Sequence, residues 1–102
     1  MDGAVKHDDG KVRMDLVPPA AIWALAEVYT VGAAKYGEHN WRKGMSWARI
    51  FAAVLRHIWA WAMGEETDPE DGLSHLAHAM WGLVTLMEYK RLGLGVDDLM
   101  RE

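Results

Sequence analysis

The chain has 102 residues, a formal net charge of −4 and no cysteine. That length suits one domain. The missing cysteines exclude disulfides and thiolate metal sites, and the acidic balance argues against direct nucleic-acid binding, which normally needs a basic stripe. Six tryptophans and seven methionines are many for so short a chain. At helical spacing such residues build a core and a subunit contact, or they wall a pocket for a flat ligand such as a base.

Residues 1–10 are polar and charged and read as a disordered tail ahead of a single all-α domain over 11–102. The tail has no apolar stretch of the kind a secretion signal carries, so the cytoplasm is the expected compartment. Lys11 to Val17 should be extended, because the residue before Pro18-Pro19 avoids the helical region. A first helix is predicted from about Ala20 to Tyr36, with Ile22, Leu25, Ala26, Val28, Tyr29, Ala33 and Tyr36 giving a recurring apolar face, and Gly37 ending it. Residues 37–46 form a loop with two glycines, and Ser46 is a plausible N-cap. Loops of that length are often functional.

The second helix is predicted from about Trp47 to Met63. Apart from Arg49, Arg56 and His57 it is apolar all round. Such a helix wants cover on every side, and its polar interruptions and length make it too short for a membrane span. The acidic connection from Gly64 to Asp71 carries five carboxylates, and Asp68-Pro69 has the form of an N-cap followed by proline at the first helical position. The third helix then runs from about Pro69 or Gly72 to Leu92, and Val96 to Arg101 forms a short final helical turn. Three helices of one chain cannot cover all this apolar surface. The expected architecture is therefore a helical-bundle homo-oligomer, a dimer or a tetramer.

Two clusters of residues can carry chemistry. The first comprises His57 on the second helix, His75 and His78 on the third, and the acidic connection between them. His75 and His78 are three apart and project from one helical face. Imidazoles beside carboxylates suit a divalent cation, although histidines satisfied by core hydrogen bonds are the plainer alternative. The second cluster contains Lys11, Arg13, Lys35, Tyr36, His39, Asn40, Trp41, Arg42 and Lys43. Cations there can hold phosphates, an amide can read a base edge, and an aromatic ring can stack on a base. An acidic, metal-capable patch paired with a basic, aromatic one suits a nucleoside triphosphate.

Several blocks in order then resemble a known family. They are Lys-Val-Arg-Met-Asp-Leu-Val-Pro-Pro at 11–19, Ala-Ala-Lys-Tyr-Gly-Glu-His-Asn-Trp at 33–41, Leu-Arg-His at 55–57, and Gly-Glu-Glu-Thr-Asp-Pro-Glu-Asp-Gly-Leu-Ser-His-Leu-Ala-His-Ala at 64–79. They resemble the phage dATP/dGTP diphosphohydrolase N-terminal domain family, itself similar to the all-α MazG-type nucleotide pyrophosphohydrolases. The resemblance implies hydrolysis of a purine deoxynucleoside triphosphate to the monophosphate and pyrophosphate. It also implies a divalent metal, with manganese or magnesium as first choices and zinc, iron or nickel admitted by the histidines.

On that reading Glu65, Asp68, His75 and His78 hold the metal. His57 is a further ligand or a partner of one, Glu65 also takes part in catalysis, and Glu70 is the general base. Lys11, Arg13, Lys35 and Arg56 meet phosphates, while Tyr36, His39, Asn40 and Trp41 shape the base pocket. The MazG-type pattern of Glu-x-x-Glu on one helix and Glu-x-x-Asp on the next is absent here. The second helix has no carboxylate, and the third carries His75-x-x-His78 instead. The rival reading is a non-catalytic helical module that binds a nucleotide or a protein, with structural histidines.

Overall fold

A computed structural model describes residues 3–101, and among them every regular element is helical. Helix α1 spans Pro19–Tyr36, α2 spans Trp47–Ala62 and α3 spans His75–Leu92, with 3-10 turns at Met14–Leu16 and Asn40–Lys43. The expected disordered tail overlaps residues 3–10, which are exposed and without helix or strand; Met1 and Asp2 lie outside the described residues.

Local signals explain most helix ends. Pro19 occupies the first turn of α1, where no N–H is required. The Ser46 and Ser74 side chains accept hydrogen bonds from the backbone N–H of Arg49 and Ala77, both at 3.2 Å, and so cap α2 and α3. Gly93 closes α3 in the left-handed conformation (φ 69°, ψ 37°), which glycine adopts without a Cβ clash.

Three expectations are corrected. Lys11 to Val17 is not extended throughout, because Met14–Leu16 winds into a 3-10 turn closed by Val17 N–H on Met14 O. Helix α3 does not start at Pro69 or Gly72, and Asp68 does not cap it. Gly72 has φ 73°, which a right-handed helix cannot contain, so the helix nucleates beyond it on Ser74. Asp68 instead organises a tight loop. Its carboxylate accepts from Glu70 N–H at 2.9 Å, its N–H donates to Leu73 O at 2.8 Å, and its carbonyl accepts from Gly72 N–H at 2.7 Å.

The segment from Val96 to Arg101 is not a helical turn either. It lies against the N-terminus of α2 as a strap. Trp47 N–H donates to Val96 O at 3.0 Å, Val96 N–H donates to Met45 O at 3.3 Å, and the Trp47 indole donates to Leu94 O at 2.9 Å. With those backbone groups already engaged, a local helical turn has no advantage.

Asp98 completes the strap by accepting from Ser46 Oγ (2.6 Å) and Ala48 N–H (2.9 Å). The Ser46 hydroxyl, then the Ala48 amide, hold its carboxyl below the usual carboxylate range. A depressed pKa adds stability at neutral pH that fades as pH falls through the lowered value. We therefore expect Asp98→Ala to melt below the parent protein at pH 7. The gap should narrow in melts below pH of about 4. An equal gap at both pH values would show that the charge is not what holds the strap.

Helix α2 packs mainly on α3, and α1 packs on α3 from another side. The core comprises Val28, Ile50, Val54, Ala77, Ala79 and Tyr89, with Thr85 buried beside Tyr29 Oη. Gly82 lets α2 and α3 approach, since a Cβ there would overlap Val54 Cγ2. Only one side of α2 is covered within the chain. Phe51, Leu55, Ile58 and Trp59 form an exposed apolar row at helical spacing, and Trp59 is 67% accessible. No helix among the described residues is long and apolar enough to cross a membrane.

Candidate metal and nucleotide site

The three helical imidazoles meet at the end of the α2–α3 pair where the acidic connection passes. His57 comes from the second half of α2, and His75 and His78 from the first turn of α3. The His57 ring stacks on His78, with centroids 4.6 Å apart and planes 8° from parallel. Its Nδ1 lies 2.8 Å from Nδ1 of His75. The other nitrogen of His75, Nε2, lies 2.6 Å from Glu65 Oε1. Asp68 Oδ2 is 4.0 Å from His57 Nδ1, and Asp71 Oδ2 is 2.8 Å from His78 Nε2.

That last contact is short but misaligned. His78 Nε2 is buried and makes no hydrogen bond, so proximity rather than a directed bond joins it to Asp71. A buried ring nitrogen placed in this way beside carboxylates has the chemistry of a metal donor. Potential ligand atoms of His57, Asp68 and His75 all lie within 4.8 Å of one another, and so do those of Asp68, Asp71 and His78. These residues therefore fit a divalent cation, with mixed nitrogen and oxygen donors.

The electrostatics favour the ligating forms of His57 and Asp71. Burial, followed by the nearby His78 and His75, pushes the His57 imidazole below its usual range despite the opposing Asp68 carboxylate, which favours the neutral ring. Burial alone would raise Asp71, but the Leu73 N–H and the His78 imidazole outweigh it, and its net shift is downward. Leu73 N–H reaches Asp71 Oδ1 at 2.9 Å.

The cluster opens on a cavity of about 880 Å³, in the size range of small-molecule sites. Its lining includes His57, Asp68, Glu70, Asp71 and His78 together with Lys35 and Tyr36 to Trp41. Val28, Ile50, Val54, Trp81 and Gly82 supply an apolar wall. Lys35 Nζ donates to Glu70 Oε1 at 3.1 Å, linking the two lips of the cavity. Trp41 is anchored through its carbonyl, which accepts from the buried Tyr89 hydroxyl at 2.6 Å. His39 is the non-glycine residue with positive φ among those described (φ 60°, ψ 21°), a conformation unusual for its type that aids the sharp reversal after Gly37.

Of the residues expected at the site, His57, Asp68, Glu70, His78, Lys35, Tyr36, His39, Asn40 and Trp41 line this one cavity. His75 sits behind it, 4% exposed, against His57. Glu65 bonds to His75 and is not among the cavity residues. Arg56, Lys11 and Arg13 do not line it. All three are exposed, and Arg13 is paired with Asp15 at 2.8 Å. Sequence reasoning gave Asp71 no role. Its spacing of three from Asp68 was visible, but its approach to His78 depends on the turn at Gly72.

The described residues are thus all-helical in their regular structure, and their imidazole–carboxylate cluster and aromatic loop share one cavity. The chain belongs to the family described as dATP/dGTP diphosphohydrolase, N-terminal, which matches residues 2–99. It is also similar to a dATP/dGTP diphosphohydrolase of Salmonella phage PMBT28, with 38% identity over 80 residues. That alignment covers 78% of this chain and 27% of the relative, so the chain spans roughly a quarter of the relative's length. No solved structure matches.

Proposed function

We propose that this chain binds a purine deoxynucleoside triphosphate in the cavity and, with a divalent cation, hydrolyses it to the monophosphate and pyrophosphate. One observation carries the reading: the imidazole–carboxylate cluster and the Lys35–Trp41 loop face the same space. The relative's name supplies the substrate class.

Water attacks the α-phosphorus, the α–β bridging bond breaks, and pyrophosphate leaves. A divalent cation would be held by donors from the His57, His75, His78, Asp68 and Asp71 cluster, where it would supply positive charge to the phosphate and make water a better nucleophile. Glu70, 73% exposed on its side chain, accepts the proton of that water. Lys35 exchanges its contact with Glu70 for a phosphate oxygen, which frees that carboxylate. Tyr36 and Trp41 flank the base, while Asn40 and His39 meet its edge.

The apolar row of Phe51, Leu55, Ile58 and Trp59 is covered by a second copy of the chain, giving a homo-oligomer whose simplest closed form is a two-fold dimer.

The test uses the 102-residue chain with manganese and dGTP or dATP. Monophosphate and pyrophosphate should appear, and light scattering should give a mass above one chain. Ligand at about a hundred times its Kd should add roughly 2.7 kcal/mol of apparent stability. Stabilisation without pyrophosphate would favour the non-catalytic module, and neither effect would sink the nucleotide reading altogether.

A further inference from the structure

We infer that the cluster is a two-ion site. His57 and His75 hold one first-row transition-metal ion, Asp71 and His78 hold a second, and Asp68 bridges them. Glu65 is a positioning residue that sets the tautomer of His75. This rests on the cation-binding part of the proposed function and is independent of hydrolysis.

Three observations carry it. The first is that the ligand atoms form two sets and Asp68 is common to both. Two ligands of one ion with bonds of about 2.1 Å lie at most about 4.2 Å apart. The donors of each set lie within 4.8 Å of one another, so side-chain shifts of about an ångström or less, including a widening of the 2.8 Å His57–His75 pair, bring either set onto an ion. No set contains both His75 and Asp71, so one ion per set, with Asp68 shared, engages all five donors.

The second observation is the state of the nitrogens. An ionised carboxylate only accepts hydrogen bonds, so Glu65, 2.6 Å from His75 Nε2, fixes the proton on that nitrogen. The Nδ1 of His75 then presents a lone pair into the cluster. A carboxylate on the far nitrogen of a metal-bound histidine is a recurrent arrangement that orients the ring and raises its basicity. The 2.8 Å between the two Nδ1 atoms fits a hydrogen bond in which His57 Nδ1–H donates to that lone pair. With the ion bound, the His57 proton moves to Nε2 and both Nδ1 lone pairs point at the cation. The third observation is His78 Nε2, buried with no hydrogen bond although Asp71 is 2.8 Å away.

The donor chemistry sets the metal class. One set has two imidazole nitrogens and one carboxylate, and the other has one nitrogen and two carboxylates. Imidazole suits zinc, iron and nickel, and manganese accepts mixed sets. Magnesium prefers oxygen and water.

Equilibrium dialysis of the nucleotide-free chain against manganese, zinc or magnesium, with metal analysis, tests this. The parent chain should bind two equivalents of manganese or zinc, with magnesium at least tenfold weaker. His57→Ala and His78→Ala should each keep one equivalent. Asp68→Asn should weaken both sites, and Glu65→Gln should keep two equivalents at about 10- to 100-fold lower affinity. Circular dichroism checks that each variant is folded, and nitrogen-15 shifts should show the His57 proton leaving Nδ1 on metal addition. One equivalent in the parent chain, the same single ion lost in both histidine variants, or magnesium bound as tightly as manganese would overturn the inference. Two bound ions without pyrophosphate release would leave it standing and sink the hydrolase reading alone. Release with one ion would do the reverse.

Discussion

Asp68→Asn is expected to cut pyrophosphate release from dGTP by about a thousandfold, roughly 4 kcal/mol of transition-state stabilisation, while leaving helical content and melting temperature nearly unchanged. The separation of effects follows from how Asp68 is held. Its backbone N–H and carbonyl close the loop onto Leu73 and Gly72, and its Oδ1 accepts from Glu70 N–H. Asparagine retains all three contacts, because its amide oxygen replaces Oδ1. It loses the negative charge and the second oxygen, which faces His57 at 4.0 Å. That oxygen has no structural duty in the loop, so its loss falls on the cluster. Initial rates of pyrophosphate formation, with circular dichroism on the same samples, decide the matter. A loss below tenfold would take Asp68 out of the reacting centre.

Gly82→Ala should be the most damaging single methyl in the core. The added Cβ would overlap Val54 Cγ2 and lie 3.5 Å from Ile50 Cγ2, on the contact between α2 and α3. Val54 is 3% exposed and β-branched on a helix, so it cannot rotate clear without strain. Overpacking of this kind costs about 1–3 kcal/mol. The better helix propensity of alanine offsets about 1 kcal/mol of that. If the overlap prevails at the upper end, the net loss lowers the melting temperature by roughly 10 °C, at about 4–8 °C per kcal/mol for a domain of this size. The double variant Gly82→Ala with Val54→Ala should recover part of the loss relative to the sum of the singles, since the second change removes the obstructing methyl. Additive losses in thermal melts would show that the two positions do not compete for space.

The helices were legible wherever their limits were written locally. Pro19, Gly37, Ser46 and Gly93 each act within one turn of the chain, and all four mark observed ends. Asp68-Pro69 has the same outward form, but Gly72 takes positive φ and starts the helix later. The strap was unreadable because its partners, Met45 to Ala48, lie some fifty positions upstream. At the site, the sequence singled out His78 and the 35–41 loop as parts of two separate clusters, and the fold brings both to one cavity, with His75 behind it. Arg56 misled because adjacency to His57 says nothing about direction, and successive residues of a helix point about 100° apart. Glu65 was recognised as relevant, yet only the fold reveals that it touches the far nitrogen of His75.

The loop over the cavity is unevenly tethered. Downstream, Gly44 abuts Gly95, Met45 O accepts from Val96 N–H, and Trp41 O accepts from Tyr89 Oη. The run from Gly37 to Asn40 is instead held by neighbours close in sequence, with Gly37 N–H on Ala33 O and Asn40 N–H on Gly37 O. Substitutions in the distant strap would therefore disturb the Trp41 end of the loop before the Gly37 end.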